Sequence, residues 1–338
     1  MIAGAGVLGL CAAFELHRRG HAVKVVDPGR PNASSVAAGM IAPAMESAID
    51  DVSAETAQLF RAGRDLWPDF AEASGVILAR RSAQWRGGDV DAIEARLRKL
   101  GFAMHRNGDC VATNEDYQVD PAQALPRLQA ALGDVFNSGE VEAVEAEGPG
   151  WRITAGGATL HAGCLILATG AAGAIAGLPD AVAAQINAIQ PIRGQIGRTP
   201  QRLVDAVVRG PGAYVAPMQD GAVMGATMEP GRRDTDPDAD AAARLTAAAW
   251  RNLDCAPQTL DIDWRVGVRG ASADGLPLAG RATAGQGLFM ALAPRRNGWL
   301  LGPLAARLVA DAIEGRAASP QARALDPARF SPPSRTEP

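Results

Sequence analysis

The chain is short of lysine. Among its 338 residues only Lys24 and Lys99 are lysines, arginine supplies the remaining positive charge, and the formal net charge is −4. That balance leaves no basic excess for a phosphate backbone, which speaks against general nucleic-acid binding. Cysteine is also sparse. Cys11, Cys110, Cys164 and Cys255 form no CxxC pair and no zinc spacing, so they read as single thiols in a reducing compartment. The histidines, His17, His21, His105 and His161, are scattered and make no ligand set. No apolar run approaches the roughly 20 residues needed to span a bilayer, and no charged segment precedes an apolar one at the N-terminus, as a signal peptide would require. A soluble, cytoplasmic protein is expected.

What the chain does have is small residues in loops. It opens "MIAGAGVLGL", a Gly4-x-Gly6-x-x-Gly9 pattern. In such a loop the first glycine permits the tight turn, the second admits a pyrophosphate to the backbone, and the third lets helix and strand pack closely. "VLGLCAAFELHRRG" places Leu8, Ala12 and Leu16 on one helical stripe, and "HAVKVVD" reads as a buried strand ending on Asp27. A carboxylate there can accept both ribose hydroxyls, and the helix N-terminus offers free N–H groups to phosphate. Strand, glycine loop, helix and terminal acid therefore predict a dinucleotide site. The loop alone does not choose between FAD and NAD. Three further small-residue loops follow, "ASSVAAGMIAP", "LILATGAAG" and "RRNGWLLGP". Their wide spacing fits a long cofactor threaded through the whole domain.

The rest of the chain is mixed. Helices are expected over about 54–73 with a break near Pro68, over "DVDAIEARLRKLG", over "VDPAQALPRLQAAL" with Pro126 kinking or shortening it, over "DADAAARLTAAAWRNL", and over "NGWLLGPLAARLVADAIEG". Strands are expected through 140–169 and again through 190–230. The fold class read from this order is α/β: a Rossmann-type FAD-binding domain with an inserted antiparallel-sheet substrate domain. The expected boundaries are 1–75, 118–186 and 262–325 for the first, 76–117 and 187–261 for the second, and a disordered tail over 326–338. Only Met1, Ile2 and Ala3 precede Gly4, fewer than the ~5–6 residues of an ordinary strand, so a mis-set start codon or a trimmed start is expected.

"GAGVLGL", "SSVAAGMIAP", "YQVDPAQAL", "LILATGA", "QPIRGQIG", "GAYVAPMQDGAVMGAT", "WRVGVRGASADGLPLAG" and "RRNGWLLGP" stand in that order over about residues 1–315. With them the sequence resembles the D-amino-acid-oxidase family of FAD-dependent amine oxidoreductases, most of all its glycine-oxidase branch of the thiamine-biosynthesis type. The resemblance implies that Gly4, Gly6, Val7, Leu8 and Gly9 hold the FAD pyrophosphate and Asp27 the adenosine ribose. Ser34, Ser35, Ala38, Gly39 and Met40 would line the pyrophosphate and flavin ring, Val141 the adenine, and Thr169 and Gly170 would close over the cofactor. Gly298, Trp299 and Leu300 would place backbone amides at the flavin pyrimidine edge.

For the substrate the resemblance implies Arg269 and Arg296 as carboxylate ligands, with Arg295 a rival one position from the latter, and Tyr214 as a hydroxyl facing the substrate. The implied reaction oxidises glycine or a small amino acid to the imino acid by hydride transfer to flavin N5. Oxygen would be the acceptor, giving hydrogen peroxide, and the product would feed thiazole synthesis in thiamine formation. A homo-oligomer is compatible with the branch. No cysteine follows Cys255 and neither lysine lies in a flavin motif, so the FAD is expected to be non-covalent. Ala293-Pro294 and Met218 depart from the branch's usual residues and leave the pocket shape open. The rival readings are a D-amino-acid dehydrogenase with a non-oxygen acceptor, a tRNA-modification module, and a cofactor-free binding protein.

Overall fold

The structure, a computed structural model, describes residues 1–330. The described residues form two compact units: Met1–Arg30, Leu128–Gln190 and residues 269–330 make the first; Pro31–Arg127 and Pro191–Val268 make the second.

The first unit is built on a six-stranded sheet in the order Leu278–Arg281, Leu288–Leu292, Leu165–Leu167, Ile2–Ala3, Val25–Asp27, Phe136–Ser138. All but Leu278–Arg281 run parallel. These strands are short, continuous apolar runs because they are covered on both faces. The Val7–Arg18 helix packs against the Gly298–Ile313 helix, while a three-stranded antiparallel sheet, Val141–Glu147, Gly150–Ala155 and Ala158–Ala162, contributes Val144, Trp151 and Ile153 to a core with Leu165, Leu167 and Met290. The "CLILAT" segment leaves that small sheet and joins the parallel one, beside Ile2–Ala3. Arg19 ties the C-terminal ends of the two helices, donating to Asp311 at 2.7 Å and Glu314 at 2.9 Å.

The second unit holds a ten-stranded, mostly antiparallel sheet. Its centre is Gln190–Thr199, Gly221–Gly225, Ala213–Met218, Val207–Gly210, Ala79–Arg86 and Cys110–Gln118, in that order. Alternation decides what each face buries. Ala213 and Val215 pack under the Ala239–Leu253 helix with Leu245 and Ala248. Tyr214 and Ala216 belong to the opposite face, with Val36, Ala38 and Met45.

The observed boundaries differ from the expected ones. Residues 31–75, expected in the cofactor domain, belong to the second unit. The reason is non-local: Met40–Ile41 pairs with Gln118 and Tyr117, and the Pro43–Asp50 helix packs on the Val90–Lys99 helix. Pro68 does break the 54–73 helix, into Ala54–Asp65 and Trp67–Ser74, whereas Pro126 lies inside a helix that continues over Pro121–Leu132. Part of the expected disordered tail is ordered. Pro327–Phe330 forms a short 3-10 turn, and Arg329 holds Asp274 at 2.8 Å; residues 331–338 lie outside the described residues.

The second core also encloses charge. Glu46, Asp116 and Arg209 are all buried. Arg209 Nη1 donates to Glu46 Oε1 at 2.7 Å, while neither Asp116 carboxyl oxygen has a hydrogen-bond partner among the described residues. Burial pushes the Asp116 carboxyl up to about 8; Arg209 and Arg64 oppose the rise, and Glu46 and Glu115 add to it. An unfolded aspartate ionises near 3.9. Between roughly pH 4 and pH 8 the native chain thus keeps a proton that the unfolded chain has lost, so this group's contribution falls as pH rises through that window. Asp116→Asn is expected to raise Tm relative to the parent by about 3 °C or more at pH 8, and by much less at pH 5. Thermal unfolding at the two pH values checks this, and equal shifts at both would refute it.

Candidate active site

The parallel sheet explains why residues so far apart in sequence meet in the first unit. Parallel strands end at one edge. Gly4 follows Ile2–Ala3, Asp27 ends Val25–Asp27, Thr169 and Gly170 follow Leu165–Leu167, and the 293–298 segment follows Leu288–Leu292. Ile2–Ala3 has Val25–Asp27 on one side and Leu165–Leu167 on the other. Strand order reverses at that point, and ligands of open α/β sheets bind beyond the strand ends there.

The glycine loop is forced to be glycine. Gly4 has φ +108, and a Cβ on it would lie 2.4 Å from the Ala168 carbonyl oxygen. A Cβ on Gly9 would lie 2.0 Å from the Gly4 oxygen. Gly6 caps the Val7–Arg18 helix without any side-chain hydrogen bond, and no acid stands in the first turn, which begins Val7-Leu8-Gly9. Asp27 Oδ2 accepts from Ala5 N at 2.7 Å and Oδ1 accepts from Gly29 N at 2.7 Å. Each oxygen keeps a lone pair for a hydroxyl donor. Val141 starts a strand three residues after Ser138, which pairs with Asp27.

A second helix N-terminus stands beside the first. A Cβ on Gly298 would lie 3.2 Å from Val7 Cγ1, and one on Gly302 would lie 3.0 Å from Cys11 Sγ. The two helices therefore run parallel, and their positive ends coincide. The Gly298–Ile313 helix also lacks a side-chain cap and a first-turn acid, and Trp299 and Leu300 are buried in it. Just before it, Ala293 and Arg295 have φ +57 and +50, a left-handed conformation that costs a non-glycine residue about 1–3 kcal/mol. Arg295 N donates to Gly270 O at 2.8 Å, and Ala271 bridges Pro294. Arg269 and Arg296 thus sit on adjoining segments of one unit.

The second unit gathers the remaining candidates. Ser34 and Ser35 lie in the Ala33–Val36 turn of helix, capped by Asn32, whose Oδ1 accepts from both their amides. Gly39 has φ +69, and a Cβ there would lie 1.9 Å from Val119 O. Ala38, Met40 and Tyr214 meet in one core cluster.

Gln118 is a residue that sequence reasoning passed over, although it stands inside "YQVDPAQAL". It is buried. Its Nε2 donates to Ala38 O at 3.0 Å and Pro217 O at 2.9 Å, and its Oε1 accepts from Arg81 Nε at 3.0 Å. The amide thus pins the Ala38–Met40 loop to the strand carrying Tyr214. Gln118→Leu strands two buried carbonyls, each worth about 1–3 kcal/mol. We expect Tm to fall by roughly 5 °C or more, and amide exchange at Ala38–Met40 to quicken. Unchanged exchange there would refute the role.

The cradle fits a dinucleotide, FAD included: bare glycines where a side chain would collide, two helix ends without side-chain caps, and an acid at the strand terminus. No group of acidic, histidine or cysteine residues that could hold a metal, and no helix long and apolar enough to cross a membrane, occurs among the described residues. All four cysteines are free. Fold and cradle together define a dinucleotide-binding protein of the Rossmann type.

Comparison with known proteins narrows this. The family described as "FAD dependent oxidoreductase" (DAO) matches residues 1–312. Glycine oxidase of Geobacillus kaustophilus is 28% identical over 93% of this chain and 92% of its own. The crystal structure of glycine oxidase from that organism superposes with a TM-score of 0.79, at 24% identity, covering 97% of each chain. The bifunctional tRNA 5-methylaminomethyl-2-thiouridine biosynthesis protein of Caulobacter sp. is 27% identical over 98% of this chain, which spans 57% of that protein. The chain belongs to the DAO family of FAD-dependent oxidoreductases. Its cofactor is FAD, and it is an enzyme of the amino-acid-oxidising kind.

Proposed function

We propose that the enzyme oxidises glycine or another small amino acid to the imino acid, with oxygen as acceptor and hydrogen peroxide as the second product. The observation that carries this is the adjoining placement of Arg269 and Arg296 beside the uncapped Gly298 helix end. A guanidinium fork matches a carboxylate bidentately, which lysine does not reproduce. In this reading Arg269 and Arg296 hold the substrate carboxylate, and Tyr214 presents its hydroxyl to the substrate. Gly4, Gly6, Val7, Leu8 and Gly9 hold the FAD pyrophosphate, and Asp27 holds the ribose. Ser34, Ser35, Ala38, Gly39, Met40, Val141, Thr169, Gly170, Gly298, Trp299 and Leu300 complete the cofactor contacts. When bound, FAD supplies the two-electron acceptor. No side chain among these residues is required as a base if the substrate amine arrives neutral, and the imine then hydrolyses in water.

Similarity to glycine oxidase supports the substrate class, and similarity to the bifunctional protein ThiO/ThiG of Trichormus variabilis, 27% identical over the whole of this chain and 56% of that one, supports a place in thiazole synthesis. Anaerobic mixing of the FAD-loaded protein with glycine tests the reading. Bleaching of the flavin absorbance, followed by peroxide release on admitting oxygen, is the expected result. A flavin left oxidised by glycine, sarcosine, D-alanine and D-proline would overturn it. The likeness to the tRNA-modification protein favours a second reading, which RNA binding at moderate salt would reveal; the net charge of −4 argues against it.

A further inference from the structure

The second unit contains a cavity of about 440 Å³, a size within the roughly 300–1,000 Å³ of small-molecule sites. Its floor is the sheet. Val208 lies in register with Gln84 on the neighbouring parallel strand, and both line the cavity together with Arg86. Their neighbours Ala83, Trp85 and Val207 belong to the core on Tyr214's face, so alternation puts the cavity on the opposite face. On that face Val208 stands opposite Val215, which packs under the Ala239–Leu253 helix. The last turn of this helix supplies a wall through Trp250 and Leu253. Wall and floor are fixed to each other. Asn252 is buried, and its Nδ2 donates to Ala213 O at 2.9 Å. A Cβ on Gly210 would lie 2.5 Å from Asn252 Oδ1 and 2.6 Å from the Arg86 carbonyl oxygen.

Arg86 brings an unbalanced charge to this cavity. Its Nη2 donates to Gln84 Oε1 at 3.2 Å, a neutral acceptor. Its Nε is buried with no hydrogen-bond partner, and no carboxylate stands within ion-pairing distance of it among the described residues. Asp205, the acid on the cavity's edge, is held by Arg202 at 2.5 Å, and both are exposed. Gln84 Oε1 also faces the Cys110 thiol at 3.8 Å, which leaves the Gln84 amide N–H groups for a ligand. We propose that the cavity is a second ligand site, distinct from the amino-acid site, which takes an organic monoanion: one carboxylate on an aromatic body. The carboxylate supplies the planar two-point acceptor that Nε and a terminal nitrogen of Arg86 require. The aromatic body lies against the Trp250 indole, with Leu253 and Val208 beside it. Asp205 at the edge disfavours a second negative group. The site does not rest on the amino-acid-oxidation reading, because Tyr214 faces the other side of the sheet.

The test is calorimetric titration of the FAD-loaded, full-length protein with 2-naphthoate and with its neutral analogue 2-naphthylmethanol. The parent is expected to bind the carboxylate saturably and at least tenfold tighter than the alcohol. Equal affinity for the two, or no saturable binding of naphthoate, overturns the proposal, and neither comparison needs a variant. Arg86→Gln is expected to weaken naphthoate at least tenfold while keeping the parent's FAD content, and Arg86→Lys, which keeps the charge but loses the fork, to recover part of the loss. Arg269→Met separates the two sites: it should bind naphthoate as the parent does. Naphthoate binding that survives Arg86→Gln but is lost in Arg269→Met would place the probe in the amino-acid site and sink the assignment. Amino-acid oxidation, followed by flavin bleaching with glycine, is read separately, so its failure would leave the naphthoate result standing.

Discussion

Gly9→Ala is expected to give a folded protein that takes up little or no FAD. The added methyl would lie 2.0 Å from the Gly4 carbonyl oxygen, 3.0 Å from its carbon and 3.1 Å from Ala168 Cβ. Two of those atoms are backbone, so no flexible side chain can yield. The helix start must instead move off the strand end, carrying with it the free N–H groups aimed at the pyrophosphate. Overpacking of this kind costs about 1–3 kcal/mol. If that cost falls on the bound geometry, affinity drops roughly 10- to 100-fold. Gly163→Ala is the control, because a Cβ there meets nothing within 4 Å and its φ is not left-handed. FAD titration followed by absorbance and fluorescence separates the two variants, with far-ultraviolet dichroism reporting the fold. Equal flavin occupancy in Gly9→Ala and Gly163→Ala would remove the loop from the cofactor site.

The glycine loop was readable in advance because its physics is local. Gly4, Gly6, Gly9 and Asp27 lie within one strand–helix–strand unit, and short-range sterics dictate each residue type. The convergence of Thr169 and of Gly298 on the same sheet edge was readable only through the order of the motifs, since parallel pairing joins strands more than a hundred residues apart. The unit boundary was misplaced for the same reason. Nothing between residues 31 and 75 announces that Met40 will pair with Gln118. The left-handed Ala293 and Arg295 were invisible, because that conformation is normally signalled by glycine or asparagine and "APRRNG" has neither at those positions.

Arg269→Met is expected to cut kcat/KM by two to three orders of magnitude for whichever amino acid bleaches the parent's flavin. Truncating one partner of a desolvated, hydrogen-bonded charge pair costs about 2–5 kcal/mol, in large part because the other charge is left unpaired, and about 1.4 kcal/mol is tenfold. The loss should appear mainly in KM if the guanidinium binds ground and transition states alike, and in kcat as well if it also fixes the orientation of the reacting carbon. Arg269→Lys keeps the charge but not the two-point fork, so it should recover only part of the loss. Arg296→Met is expected to act in the same direction. Because Gly270 accepts from Arg295 N at 2.8 Å, the segments bearing the two arginines adjoin, and the double variant should lose less than the product of the single losses. FAD content is the necessary companion measurement: a variant that keeps its flavin yet fails to saturate with substrate has lost carboxylate recognition. An Arg269→Met enzyme that saturates at the parent's concentration and turns over at the parent's rate would show that the carboxylate is held elsewhere.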